Sequence, residues 1–239
     1  MRWYQADRRA AVRLVCCPHA GGAASAFRHW PRWLPSEVDL AAVCYPGRED
    51  RLDEAAPDTL EALARPIAAA LEPLGDKPIA LFGHSMGASV AYEVARLLRP
   101  APVALLVSGR CPPHLMRPRR DPPGTDEELV TDVLRLDPSA AEVLAEPDLR
   151  ELVLPPIRAD YRLVAGYRAR PVLPLAVPVA AYGGMDDPEV DAAELARWAE
   201  VSTVGCHTRQ FPGAHFYLRD HPGELVADLV GQLPVPAAR

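Results

Sequence analysis

The chain has 239 residues, a hydrophobic share of 49% and a formal net charge of -6, which is enough apolar material for one sizeable core. Arginines and acidic residues alternate along the whole length, so no basic face is extensive enough to bind nucleic acid by neutralising phosphates. No early segment joins a basic start, an apolar stretch and a small-residue cleavage site, and every apolar run is far shorter than a membrane span, so a cytoplasmic protein is expected.

The first apolar run, 12–17, reads as a strand, and 24–34 after it has helical spacing. The alternation continues with a strand at 38–45, a helix at 59–74, a strand at 78–82, a helix at 86–98 and a strand at 103–108. After a break come a strand at 177–182, a helix at 189–200, a weaker strand at 203–211 and a helix at 222–233. Runs of Val, Leu, Ile, Ala and Cys without alternation are strands buried on both faces, and strand alternating with helix predicts a mostly parallel, doubly wound α/β sheet. The break spans 112–170, where Pro, Arg and acidic residues surround helical patterns at 127–136 and 140–144. It reads as a helical lid inserted into a single domain of residues 1–239, lying over the carboxyl ends of the strands, where open parallel sheets bind ligands. Cys16, Cys17, Cys44 and Cys206 fall in the strand-like runs, and no pair has zinc-site spacing. Buried, reduced thiols are expected, with neither metal nor disulfide.

The sharpest local pattern is Gly83-His84-Ser85-Met86-Gly87, which ends one predicted strand and opens the next predicted helix. In that context G-x-S-x-G is a nucleophile elbow: a sharp turn projects Ser85, and glycines at 83 and 87 let neighbouring backbone pass close by. Acyl transfer also needs donors for an oxyanion. The backbone N–H of Met86, at the helix start, is one candidate. Ala20, in the loop Pro18-His19-Ala20-Gly21-Gly22 after the first strand, is the other, with Gly21 and Gly22 supplying the turn. An acid follows in Tyr182-Gly183-Gly184-Met185-Asp186-Asp187-Pro188, where Asp186 and Asp187 compete. Either could cap a helix opening at Pro188, but three residues beyond Gly184 is the usual place of the acid in this fold, which favours Asp187. The base is His215, in Phe211-Pro212-Gly213-Ala214-His215-Phe216, between the last strand and the last helix. His84 and His19 flank the site and are expected to pack or hold the loops rather than transfer protons, with contact to substrate as the alternative for His19. His114, His207 and His221 read as surface or structural. The order Ser85, Asp187, His215 is that of the α/β-hydrolase fold, and its chemistry needs no cofactor or metal.

With these residues placed, the sequence resembles the type II thioesterases, stand-alone enzymes that accompany polyketide synthases and nonribosomal peptide synthetases. The resemblance covers nearly the whole chain. It rests on Pro18-His19-Ala20-Gly21-Gly22, Tyr45-Pro46-Gly47-Arg48-Glu49, Phe82-Gly83-His84-Ser85-Met86-Gly87-Ala88, Ala91-Tyr92-Glu93, Ser108-Gly109-Arg110, Leu154-Pro155-Pro156-Ile157-Arg158-Ala159-Asp160-Tyr161 and Phe211-Pro212-Gly213-Ala214-His215-Phe216. It implies the same triad and oxyanion groups, a lid in the same place, and removal of stalled acyl groups from phosphopantetheine arms of acyl or peptidyl carrier proteins. Cys17, where an aromatic residue often precedes the Pro-His pair, bears on acyl preference and leaves the chemistry intact. Arg117, Arg119 and Arg120, at the lid entrance, are either a solvated run or a contact for a carrier's acidic surface or phosphate. The alternatives are a general serine esterase or peptidase on the same residues and a noncatalytic binding protein, which would normally have lost one of the three.

Overall fold

In the computed structural model, residues 1–116, 123–168, 171–172 and 174–235 are described. In chain order the elements are β1 (Arg2–Gln5), β2 (Val12–Cys17), β3 (Val38–Ala42), α1 (Leu60–Leu71), β4 (Ile79–His84), α2 (Met86–Leu97), β5 (Ala104–Ser108), α3 (Asp126–Leu136), α4 (Ala141–Ala145), α5 (Pro147–Gly166), β6 (Val179–Gly184), α6 (Ala192–Ala196), β7 (Cys206–Phe211), α7 (Tyr217–Asp220) and α8 (Pro222–Gly231). The strands form a seven-stranded sheet in the order β1-β3-β2-β4-β5-β6-β7. Among the described residues only β1 is antiparallel to its neighbour in the sheet.

Successive side chains of a strand point to opposite faces, and here both faces are covered. Val15, Cys17, Leu81, Leu105, Val107 and Ala181 join one core with α1, α2 and Trp198. Leu14, Cys16, Ala80, Phe82, Leu106 and Tyr182 join the other with Phe27, Trp30 and α8. Burial on two sides explains why these strands read as continuous apolar runs. The ladder Cys17↔Gly83, His84↔Ser108, Ser108↔Tyr182 and Gly184↔Phe211 brings the carboxyl ends of β2, β4, β5, β6 and β7 to one edge. Every loop carrying a candidate residue leaves from that edge.

Several boundaries differ from expectation. β4 and β6 run past their apolar patterns to His84 and Gly184, because residues with no apolar signature still pair there. β3 stops at Ala42, short of 45. β1 was not expected from the sequence: it is a short, partly exposed edge strand with too few residues to show a period. The helix expected at 24–34 is instead two 3₁₀ turns, Ala24–Phe27 and Trp30–Arg32. Ala24, Phe27 and Trp30 are buried at intervals of three, the 3₁₀ period, and Pro31, lacking an N–H, prevents a continuous α-helix. Likewise 189–200 divides into α6 and a 3₁₀ turn at Arg197–Val201. The cap of α6 is Asp191, in a box with Glu194, so neither Asp186 nor Asp187 serves as a helix cap.

Between β5 and β6 the described residues hold three α-helices and no strand of the sheet, and α5, the longest helix among the described residues, has Pro155 and Pro156 inside it. Interior prolines normally end a helix. Packing holds this one: Leu154 and Tyr161 form a small core with Leu129 of α3 and Leu144 of α4, and Leu163 and Val164 enter the main core. The margin of the small core includes Ala20 and Ile157, so α3, α4 and α5 sit against the loop after β2. No helix among the described residues is long and apolar enough to cross a membrane.

Candidate active site

Ser85 sits at the turn between β4 and α2 with φ 55° and ψ -119°, a conformation rarely adopted by a residue with a side chain. Its N–H donates to Ser108 O at 2.8 Å, which holds the turn against β5. A Cβ on Gly83 would collide with the carbonyl of Gly87, and one on Gly87 with the carbonyl of Cys17. Both positions therefore need glycine for close backbone approach, as the elbow pattern implies. Ser85 is partly exposed between the buried His84 and Met86. Met86 is the first residue of α2, so its N–H has no acceptor within the helix.

His215 and Asp187 come together across 28 positions: His215 Nδ1 lies 2.9 Å from Asp187 Oδ2 and 3.0 Å from Oδ1. Both side chains are buried, 1% and 0% exposed. Asp187 Oδ1 also accepts the N–H of Glu189 at 2.9 Å. Gly184 allows this meeting, because a Cβ there would run into the carbonyls of Gly213 and Ala214. Asp186 is exposed, and its N–H donates to Gly213 O at 3.0 Å. With Nδ1–H donated to a carboxylate, Nε2 of the neutral ring is the acceptor. It is buried and has no hydrogen-bond partner among the described residues.

A cavity of about 350 Å³ joins these pieces. Ser85, Met86, His215, His19, Ala20 and Gly21 line its sheet side. Val133, Val143, Leu144, Ile157, Tyr161 and Val164, from α3, α4 and α5, line the other. Surface ion pairs flank the chamber: Arg135 of α3 to Glu189 at 2.6 Å and Arg219 of α7 to Asp137 at 2.7 Å.

The remaining histidines divide by environment. His84 is buried, with Nδ1 2.9 Å from Ser108 Oγ, which in turn lies 2.6 Å from Tyr217 OH. Burial, and after it the nearby His215 and His19, holds its pKa well below the ordinary value. His19 lines the chamber, edge-on to Phe216 at 4.8 Å. Desolvation, followed by Arg219 and His215, lowers its pKa to about 3. Both rings are therefore neutral. His114 faces Glu200 at 2.9 Å, His207 faces Asp228 at 3.1 Å, and His221 precedes α8. Cys16, Cys17 and Cys44 are buried as expected, but Cys206, at the start of the outer strand β7, is partly exposed. Arg117, Arg119 and Arg120 lie outside the described residues.

No spacing or composition in the sequence singles out the Arg48–Asp160 pair. Arg48, in the loop after β3, and Asp160, on α5, form a buried two-pronged ion pair at 2.7 and 2.9 Å. The only sequence signal for either was its place in a motif of the family resemblance.

Comparison with known proteins shows the family of the chain. The thioesterase domain model matches residues 12–233. Among curated relatives, thioesterase PikA5 of Streptomyces venezuelae is 38% identical over 98% of this chain and 85% of its own length. The gramicidin S biosynthesis protein GrsT of Aneurinibacillus migulanus is 32% identical over 97% of this chain and 94% of its own. Among solved structures, the type II thioesterase BorB from the borrelidin biosynthetic cluster superposes with a TM-score of 0.89 at 36% identity, over 97% of this chain and 96% of that one. The sheet, its covering helices and these matches make the fold that of the α/β hydrolases. The chain belongs to the thioesterase family, is a type II thioesterase within it, and is accordingly a hydrolase of acyl thioesters.

Proposed function

We propose that the protein removes acyl groups from the phosphopantetheine arms of carrier proteins in polyketide or nonribosomal peptide assembly, through an acyl-enzyme on Ser85. The observation that carries the reading is the His215–Asp187 pair: Nε2 of His215 has no hydrogen-bond partner among the described residues, and His215 lines the same chamber as the partly exposed Ser85. Ser85 Oγ attacks the thioester carbonyl carbon while its proton passes to His215 Nε2. The N–H groups of Ala20 and Met86 stabilise the oxyanion. When the C–S bond breaks, the pantetheine sulfur leaves as a thiol, taking the proton from His215. Water then attacks the acyl carbon, giving His215 a proton that returns to Ser85 as the ester C–O bond breaks and the free acid departs. Asp187 holds the ring in the required tautomer and favours the imidazolium.

The helical segment within 112–170 acts in this reading as a lid, and the full chain is one domain. Its apolar chamber wall discriminates by only about 1–3 kcal/mol per methylene, which suits an editor accepting various short and medium acyl groups. Relatives named for gramicidin S and borrelidin biosynthesis support the assembly-line context. The test is hydrolysis measured side by side on acyl-carrier protein, acyl-coenzyme A and matching oxoesters, with Ser85→Ala as control. Faster release from carriers, with turnover below about a thousandth in Ser85→Ala, is the expected result. Efficient cleavage of oxoesters with untouched acyl-carriers would replace it with a general esterase.

A further inference from the structure

Arg48 and Asp160 are 6% and 1% exposed. Removing two charges from water is costly, and a buried pair adds little stability over apolar residues of the same size. What distinguishes this pair is where its remaining hydrogen bonds go. Asp160 Oδ2 accepts the N–H of Gly21 at 2.7 Å, and Arg48 Nη1 donates to Gly22 O at 3.0 Å. On the other side, Tyr45 OH donates to Pro18 O at 3.2 Å, and the Arg48 guanidinium lies over the Tyr45 ring, 5.4 Å from its centre.

These bonds bracket a single peptide unit. Tyr45 fixes the Pro18–His19 peptide through its carbonyl, and Asp160 fixes the Ala20–Gly21 peptide through its N–H. Between them remains only the His19–Ala20 peptide, which carries the Ala20 N–H. Gly21, with φ 75°, also lies directly under Ile157 of α5, where a Cβ would collide. Helix α5 therefore supplies Ile157, Tyr161 and Val164 to the chamber wall and Asp160 to the loop opposite.

We propose that Arg48 and Asp160 are positioning residues that aim the Ala20 N–H at the developing oxyanion, so that turnover requires α5 to be seated on the loop after β2. The inference rests on the catalytic reading above, which makes Ala20 a donor. A misplaced donor costs transition-state stabilisation while leaving ground-state binding largely intact.

The test compares Asp160→Asn with Asp39→Asn. Asp39 is equally buried, at 2% exposed. It accepts a backbone N–H from Asp7 at 2.8 Å and pairs with Lys77 at 2.9 Å. It stands near the start of β3, at the opposite end of the strands from the chamber. Both variants lower Tm. Asp160→Asn alone lowers kcat on butyryl-N-acetylcysteamine by about 10–100-fold, with KM within about threefold. It weakens butylboronic acid, which forms a tetrahedral adduct on Ser85, by the factor lost from kcat/KM. Equal kcat losses in both variants, or unchanged kcat and boronate affinity in Asp160→Asn, overturn the inference. If Asp160→Asn does not fold, Arg48→Lys, which keeps the charge but loses the fork reaching Gly22 O, takes its place: reduced kcat supports the inference and wild-type kcat overturns it. Turnover surviving in Ser85→Ala would instead remove the catalytic reading on which it rests.

Discussion

Replacing Asp187 by asparagine isolates the tautomer argument, because size and shape are kept while one acceptor becomes a donor. Oδ1 already accepts the Glu189 N–H and lies 3.0 Å from His215 Nδ1, while Oδ2 has His215 Nδ1, at 2.9 Å, as its one partner among the described residues. The asparagine oxygen therefore stays on Glu189, since the reverse orientation would set its amide N–H groups against that backbone donor. The side-chain NH₂ then points at Nδ1, which must become an acceptor. The ring proton moves to Nε2, and His215 can no longer receive the proton of Ser85. An inverted tautomer of this kind costs about 10⁴-fold in kcat in a serine hydrolase, or about 5.5 kcal/mol at 1.36 kcal/mol per decade. Thermal stability should hardly change, because the hydrogen-bond count is preserved. The assay is steady-state hydrolysis of an acyl thioester by Asp187→Asn and Asp186→Asn in parallel, with Tm for each. The exposed Asp186 contributes its backbone to the loop, so its variant should stay within about threefold of wild type. Asp187→Asn within tenfold of wild type, or an equal loss in Asp186→Asn, would refute the reasoning.

Gly87→Ala should destabilise by at least about 3 kcal/mol or prevent folding, because the added methyl meets the backbone of Cys17 and Pro18, which no rotamer can relieve; urea unfolding measures it, and near-wild-type stability would contradict the packing. Stability should fall with acid from about pH 6.5, the unfolded histidine pKa. His84 and His19 are held neutral in the fold, the latter to about 3. Between the unfolded and folded values only the unfolded state takes up these protons, so each ring subtracts up to about 1.4 kcal/mol per pH unit as pH falls. Denaturant midpoints flat from pH 7 to pH 5 would exclude this. Joint replacement of Arg117, Arg119 and Arg120 by Ala should raise KM for a carrier substrate, more at low salt, and leave a small thioester unaffected; equal effects on both would remove the carrier contact.

What the sequence determined by itself is local. Strands buried on two faces leave apolar runs, and the loops after β2, β4, β6 and β7 carry Ala20, Ser85, Asp187 and His215 in recognisable settings of glycine and strand end, so their place on one sheet edge follows from the parallel topology. In the sequence only a three-residue offset separates Asp187 from Asp186, whereas in the tertiary structure it is the Asp187 carboxylate that reaches the ring. Other features had no period to read. β1 is too short, the turns at 24–32 repeat at three rather than 3.6 residues, and α5 continues through two prolines because Leu154 and Tyr161 are packed into one core and Leu163 and Val164 into another. The Arg48–Asp160 pair joins residues 112 positions apart. Nothing near either residue specifies the other, since a buried charge is matched only when the chain has closed around it. The sequence therefore settles which residues stand ready at the strand ends, while only the folded chain, by excluding water from pairs distant in sequence, decides which of them meet and how the loop after β2 is held.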